Sequence, residues 1–336
     1  MEYWRKKKKK KKGKARECFL KNGSVFLKEL IADCNGISNP IRMFSSDQIS
    51  EATNYFDPKC FLDEDRGRYF NAIFTWYKGN TEGRPYAIKR HTEQLNLEEE
   101  TGYNDIVLSA RVSNHNGFLK LIGCCLEFPS PVLVFEDFDY TVLNDRGTVG
   151  SLDAPLLPWN VRLKIAIAIT YLHTAFSRII IHRDIKTTNV FLDKNGTAKL
   201  TDFSFAITLP EGESWLEDDL VTGTVGYLDP DYAMTGFVTE FTDVFSFGIL
   251  MLVLLMGRPP YLDEPSEPLN IHVRDLQKSG EPVKFGGDSN DMKPDQMKRF
   301  LELALRCCEK KKEARPNMIM VAKQIKLIEK GSFGLF

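Results

Sequence analysis

The sequence predicts an α+β protein in two parts, a small β-rich part followed by a larger helical one. Three observations carry this reading. Residues 59–90 cluster aromatics and Ile between Gly67, Gly79 and Gly83, the composition of strands bounded by turns. Pro131-Val-Leu-Val-Phe135 reads as a short buried strand. After residue 155 the chain becomes mainly helical, with a polar loop region over 182–235 and an apolar run from Phe245 to Met256. The expected organisation is a basic tail and extension over 1–43, a β-rich lobe over 44–136 and a helical lobe over 137–331.

Residues 1–16 hold ten Lys/Arg against one acid, Glu2, so this tail carries +9 and the remaining chain −10. Such a run is not expected to pack; it is solvated or bound to something anionic. An anionic membrane surface, met through Lys6 to Lys12, and a nuclear-import patch are the functional readings. Stable anchoring takes a second signal. Residue 2 is Glu, which gives no myristoylation motif, and Cys18 follows the basic run as a thiol open to acylation. A charged run with no apolar stretch behind it is not a secretory signal. The Phe245–Met256 run is too short to span a bilayer. The seven cysteines are odd in number and two pairs are adjacent, which fits neither a disulfide framework nor zinc spacing. A reducing cytoplasm fits this usage.

Residues 17–44 read as an extension that is helical in part. Phe44-Ser45-Ser46-Asp47-Gln48-Ile49 looks like a helix start, with a capping Ser or Asp and with Ile49, Ala52 and Phe56 on one face. Residues 93–113 are acid-rich, then periodic, and predict a second helix. Trp159 to His173 predicts a third. The 259–295 segment, rich in Pro, Gly and acids, reads as a docking site or a tolerated insertion.

The most specific chemical signal is Ile181-His182-Arg183-Asp184-Ile185-Lys186-Thr187-Thr188-Asn189, which fits H-R-D-x-K-x-x-N. The chemistry behind that pattern is phosphoryl transfer. Asp184 accepts a hydroxyl proton, Lys186 lies near the transferred group, and Asn189 helps to hold Mg²⁺. Asp202-Phe203 follows at the distance expected for a second metal-binding carboxylate. Tyr86-Ala87-Ile88-Lys89 fits a strand whose Lys meets the α/β phosphates, and Asp105 stands where a Glu partner of that Lys is expected. A Lys89–Asp105 pair needs the helix closer to the strand, because Asp is one methylene shorter.

Together these residues resemble a protein kinase of the plant receptor-like cytoplasmic type. Phe44 to Asn54, Gly223-Thr-Val-Gly-Tyr-Leu-Asp-Pro-Asp-Tyr232 and Thr242-Asp-Val-Phe-Ser-Phe-Gly248 carry the likeness through residues 44–330. Within that class the chain looks most like the ZED-related kinase (ZRK) group. The resemblance implies a two-lobe protein-kinase fold. It implies ATP and Mg²⁺ if the pocket is open, with Lys89, Asp105, Glu136 and Phe138 at the nucleotide and Asn189 and Asp202 at the metal. It also implies that Arg315 pairs with Asp231. The implied partners are an NLR immune receptor, other cytoplasmic kinases and pathogen effectors, in plant defence.

Several positions depart from a working kinase. The three Gly-rich-loop positions hold Tyr69, Asn71 and Phe74, whose side chains are expected to block the phosphate cradle. Trp76 replaces the Val that roofs the adenine, and Asp63, Glu64 and Asp65 add negative charge nearby. Asp202-Phe203-Ser204 has Ser for Gly. The acids Glu211, Glu213, Glu217, Asp218 and Asp219 in the activation segment are expected to stand in for a phosphate on Arg183 or to repel an acidic partner. Thr222 and Thr224 are candidate modification sites. Three readings stay open: an adaptor pseudokinase, a weakly active Ser/Thr kinase, and a scaffold that binds nucleotide without transfer.

Overall fold

The computed structural model describes residues 2–34, 41–62, 74–81, 83–91, 101–136, 140–151, 153–176, 178–217, 220–263, 266–287, 291 and 293–331, with the side chains of 2–10 and 31–34 set aside. Phe138, Tyr69, Asn71, Asp63 to Asp65, Gly67, Asp218 and Asp219 lie outside the described residues. The chain divides into two compact units, Met1–Asp139 and Tyr140–Phe336.

In the first unit, α1 runs from Glu2 to Cys34. Lys, Arg, Ala, Glu and Leu favour helix, so one helix carries both the basic run and the extension, where the sequence suggests an unpacked arm. Asn22 fixes it: its buried side-chain amide donates to the Leu126 and Phe128 carbonyls, each at 2.8 Å. β1 (Arg42–Met43) leads into α2 (Ser46–Ala52). Ser45 caps α2 as expected; its hydroxyl accepts from Gln48 N, and Gln48 Oε1 accepts from Ser45 N at 3.0 Å. Ile49 enters the core. Phe56 reaches that core by another route than a helix face. Asn54, Tyr55 and Phe56 take φ of 47°, 60° and 61°, and this left-handed run sets Phe56 against Tyr77 and Phe128.

β2 (Phe74–Thr81), β3 (Arg84–His91), β4 (Leu121–Cys125) and β5 (Val132–Phe135) join β1 in a sheet of order β1-β4-β5-β3-β2. α3 (Thr101–Val112) lies between β3 and β4 in the chain and packs on α1. Strand alternation gives the sheet two faces. One face carries Tyr77, Tyr86, Ile88, Val132 and Val134 into a core with Phe44 and Ile49. The other carries Phe74, Trp76, Lys89 and His91, paired Phe74 with His91 and Trp76 with Lys89.

The second unit is mainly helical. β6 (Thr141–Val142) precedes α4, which spans Trp159–Ile169 and tightens into a 3₁₀ turn over Thr170–His173. The predicted Trp159–His173 helix is therefore α-helical only in its first part. β7 (Ile180–Ile181), β8 (Val190–Leu192), β9 (Ala198–Leu200), β10 (Ile207–Thr208) and β11 (Trp215–Glu217) bracket the polar loops. α5 (Pro230–Thr235) and β12 (Phe237–Thr239) follow, with β11 paired to β12. α6 (Glu240–Met256) is the apolar run of the sequence, and every residue from Thr242 to Met256 is buried. β13 (Tyr261–Leu262) pairs with β14 (Glu267–Pro268), and α7 (Leu269–Ser279), α8 (Pro294–Cys307) and α9 (Met318–Glu329) complete the unit.

The 259–295 segment is tied to α4 at Gly286: buried Arg162 donates to the Leu254 carbonyl at 3.1 Å and to that of Gly286 at 2.9 Å. Burial lowers the Arg162 pKa, and nearby Asp291 works against this. Arg315 pairs with Asp229, not Asp231. Its Nη1 and Nη2 donate to the two Asp229 oxygens at 2.7 and 2.8 Å, while Asp231 meets Lys312 at 3.2 Å. Asp229 is the N-cap of α5 and is buried, so it needs a planar cation; Asp231, in the first helical turn, faces outward far enough for a Lys.

Candidate functional site

The site residues fall in both units, and each half has its own geometry. In the first unit Lys89 lies in the middle of β3, and its side chain is completely buried. Asp105, one turn into α3, reaches it: Lys89 Nζ to Asp105 Oδ2 is 2.6 Å, and Asp105 is equally buried. The helix therefore approaches the strand closely enough for the shorter acid. Ser109, one helical turn on, donates to Asp105 Oδ1 at 3.0 Å, and His91 Nε2 stands 3.9 Å from Oδ2. Gly102 helps to admit this approach, since a Cβ there would press on Pro131 at 3.3 Å.

The remaining side of Lys89 is aromatic. Its Nζ sits 4.0 Å from the Phe74 ring centroid and 5.9 Å from that of Trp76. Trp76 is buried and leans on Phe135 at 5.2 Å between ring centres. A buried ammonium needs a paired anion and close donors or π faces in place of water. Lys89 has both from its own unit. Phe74 was singled out in the sequence as a Gly-rich-loop position, whereas His91, two residues from Lys89, was legible only through strand alternation. Glu136, at the end of β5, is half-buried; its N donates to the Lys120 carbonyl at 2.9 Å, and its Oε1 accepts from Lys120 N at 3.3 Å.

In the second unit Asp184 lies at the centre. Lys186 Nζ is 2.7 Å from Asp184 Oδ2, and Asn189 Nδ2 donates to the Asp184 carbonyl at 2.9 Å and to Oδ2 at 3.2 Å. Thr224 closes the ring: its hydroxyl donates to Asp184 Oδ1 at 2.5 Å and accepts from Lys186 Nζ at 2.8 Å. Thr224 is thus part of this cluster, in keeping with a structural role for it rather than that of a modification site. Such a carboxylate, flanked by a cation and a hydroxyl, is arranged to take a hydroxyl proton.

Asp202 takes φ of 68°, a rare conformation for a side-chain-bearing residue. Ser204 Oγ donates to Asp202 Oδ1 at 2.6 Å, so the residue in place of Gly engages the metal-binding carboxylate directly. Phe203 is buried against the His182 ring at 5.1 Å.

The whole loop hangs on Asp243, in the first turn of α6. Its Oδ2 accepts from His182 N at 2.7 Å and meets His173 Nε2 at 2.8 Å, and its Oδ1 accepts from Arg183 N at 2.9 Å. Burial by itself would raise the Asp243 carboxyl. The hydrogen bond and charge of His173, with His182 beside it, outweigh that and hold it below its ordinary value. This backbone capture holds Arg183 at φ of 67°. The Arg183 guanidinium donates to the Leu220 carbonyl at 3.2 Å, to Thr222 Oγ1 at 2.5 Å and to Tyr232 Oη at 2.9 Å. Glu211, Glu213 and Glu217 of the acidic run stand exposed.

Active members of the protein-kinase domain family take ATP and Mg²⁺. In the first unit the cation expected at the phosphates is covered in this arrangement by the Phe74 and Trp76 rings. The second unit retains the donors that suit the metal and the proton transfer, Asp184, Asn189 and Asp202.

Comparison with known proteins shows the family. The protein kinase domain family matches residues 72–326. The chain is 50% identical to the Arabidopsis thaliana serine/threonine-protein kinase ZRK1 over 95% of its length and 94% of the relative. It is 48% identical to the non-functional pseudokinase ZRK2 of the same plant, covering 97% of this chain and 93% of that one. It is 46% identical to the non-functional pseudokinase ZED1, also from Arabidopsis thaliana, over 94% and 98%. A named kinase and named pseudokinases thus stand at similar distances from the chain.

Proposed function

The chain belongs to the protein-kinase domain family and, within it, to the ZRK and ZED1 group, and from that premise we propose that it is an adaptor pseudokinase of plant immunity. In this reading it bridges an NLR immune receptor and other receptor-like cytoplasmic kinases. It works in the cytoplasm, at the inner face of the plasma membrane. The observation that carries the pseudokinase part is the enclosure of Lys89. A lysine with no exposed side-chain surface, covered at 4.0 Å by the Phe74 ring, must shed that ring to meet a phosphate, whereas its 2.6 Å pair with Asp105 is one that a working kinase also makes. The relatives named as non-functional pseudokinases support the same reading.

A second reading, a weakly active serine/threonine kinase, is favoured by the intact cluster of Asp184, Lys186, Asn189 and Thr224. Phosphoryl transfer depends mainly on positioning and charge neutralisation, and these residues supply both in the second unit.

Two measurements separate the readings. In the first, Mg-ATP leaves the melting temperature of the wild type unchanged, while the double variant Phe74→Gly, Trp76→Val gains stability by mass action, about 2.7 kcal/mol at a hundredfold excess over Kd. In the second, wild type transfers no labelled γ-phosphate to itself or to a generic protein. Labelling by wild type that Asp184→Asn abolishes makes the chain an enzyme and removes the pseudokinase reading. For the adaptor role, co-expressed chain, receptor and kinase are expected to purify as one complex in which receptor and kinase do not associate without the chain.

A further inference from the structure

We propose that α1 is an electrostatic docking surface for an anionic lipid bilayer. This deepens the peripheral placement above and rests on it, and it is independent of whether the Lys89 face takes nucleotide. α1 is a single helix from Glu2 to Cys34, about 50 Å long at 1.5 Å per residue. It is held on the folded body by the Asn22 hydrogen bonds and by its packing on α3, and all ten cations of residues 1–16 precede Asn22. The charge is therefore presented along one rod rather than scattered over a surface.

A helix with seven successive lysines, Lys6 to Lys12, repels itself at every three- and four-residue spacing. An anionic surface removes that repulsion, so binding and helix formation favour each other. For the described side chains of the run, Lys11, Lys12, Lys14 and Arg16, the unit supplies little neutralisation. Lys11 meets Asp47 at 3.0 Å, but both side chains are mostly exposed, so the contact is weak and easily exchanged. Lys12, Lys14 and Arg16 have no ion-pair partner among the described residues. A cavity of about 490 Å³ lies beside Lys11, Lys12 and Arg16; on its far wall Glu127 accepts from Ser46 N and Oγ at 2.8 and 2.7 Å and is thereby occupied.

The neighbourhood of the run favours a bilayer over a nucleic acid. Phe19 and Leu20, just past the charges, are 42% and 63% exposed, and Tyr3-Trp4 precedes them in the sequence. Cations flanked by aromatic and aliphatic residues suit the lipid interface, where charge meets headgroups and apolar groups meet acyl chains.

The test is sedimentation of the full chain with vesicles of phosphatidylcholine alone or with phosphatidylserine added. Circular dichroism follows the helix content. Wild type is expected to bind the phosphatidylserine vesicles at least about a hundredfold more tightly, to gain helicity on binding, and to release in high salt. The variant with Lys6→Gln through Lys12→Gln, checked for an unchanged melting temperature, is expected to lose that preference. Equal binding to both vesicles, or full retention by the variant, overturns the proposal. So does a wild type that prefers duplex DNA or RNA to the anionic vesicles. If a fluorescent chain lies at the plasma membrane in cells yet ignores these vesicles, the docking surface falls and the peripheral placement stands. If it binds the vesicles but is diffuse in cells, the surface stands and the placement falls.

Discussion

Arg315 and its two candidate partners show what a single residue decides. Both acids lie at the start of α5, two positions apart, and only Asp229 is buried with the guanidinium. The pair is enclosed, bidentate and further held by the Phe241 carbonyl at 3.0 Å. Removing one member leaves a buried charge unpaired, which costs about 3–5 kcal/mol. Asp231 and Lys312 are both partly exposed, and such pairs contribute at most about 1 kcal/mol. Asp229→Ala is therefore expected to destabilise the protein severely and Asp231→Ala hardly at all, as read from chemical denaturation. Equal effects would return the pairing to Asp231. At this scale the sequence marks candidate residues, because Asp184, Lys186, Asn189 and Asp202 sit in a fixed pattern. It does not show which of two nearby acids turns inward. Nor does it show that Thr224 joins Asp184, because a hydroxyl's partner is set by the fold of a segment forty residues away.

At the scale of elements, α6 was the most legible part of the chain, since an apolar run broken only by Ser246 and Gly248 and flanked by a polar loop predicts a buried helix. Its packing was less so. Gly248 lets α8 come close: a Cβ there would lie 2.6 Å from Cys308 Sγ, 2.8 Å from Cys307 Cβ and 2.9 Å from the Ala304 carbonyl. Ala is the better helix former by about 1 kcal/mol, whereas overpacking a close contact costs about 1–3 kcal/mol. The carbonyl cannot retreat without moving α8, so overpacking wins, and Gly248→Ala is expected to lower stability by about 1–2 kcal/mol. A stabilised variant in a denaturant titration would show that the two helices separate freely. The helix α1 was half legible. Its propensity was plain, but like charges argue against a helix in isolation, and the body contacts that settle the matter, the Asn22 bonds and the packing on α3, join residues far apart in the chain. The route of Phe56 was hidden as well, because three consecutive left-handed residues leave no trace in an apolar spacing.

For the molecule as a whole, the two-part plan followed from composition, and the division of chemistry between the units did not. One site residue nevertheless sets a property of the whole protein. Asp243 joins α6 to the backbone of the His182–Arg183 loop and to His173. Its carboxyl is held below its ordinary value of 3.8 because the partner interactions outweigh burial. A group with a depressed folded-state pKa contributes stability that is complete above its unfolded pKa and is lost as pH falls through the folded value. The contribution is thus present at neutral pH and disappears on acidification below the usual carboxylate range. Other carboxylates follow the same sign, so the difference between two proteins isolates this one. Asp243→Asn is expected to lower the melting temperature at neutral pH and to flatten its fall between about pH 5 and the acid limit relative to wild type. Parallel curves would mean that the Asp243 charge does not hold the loop, and that its hydrogen-bond geometry, which Asn can partly reproduce, is sufficient.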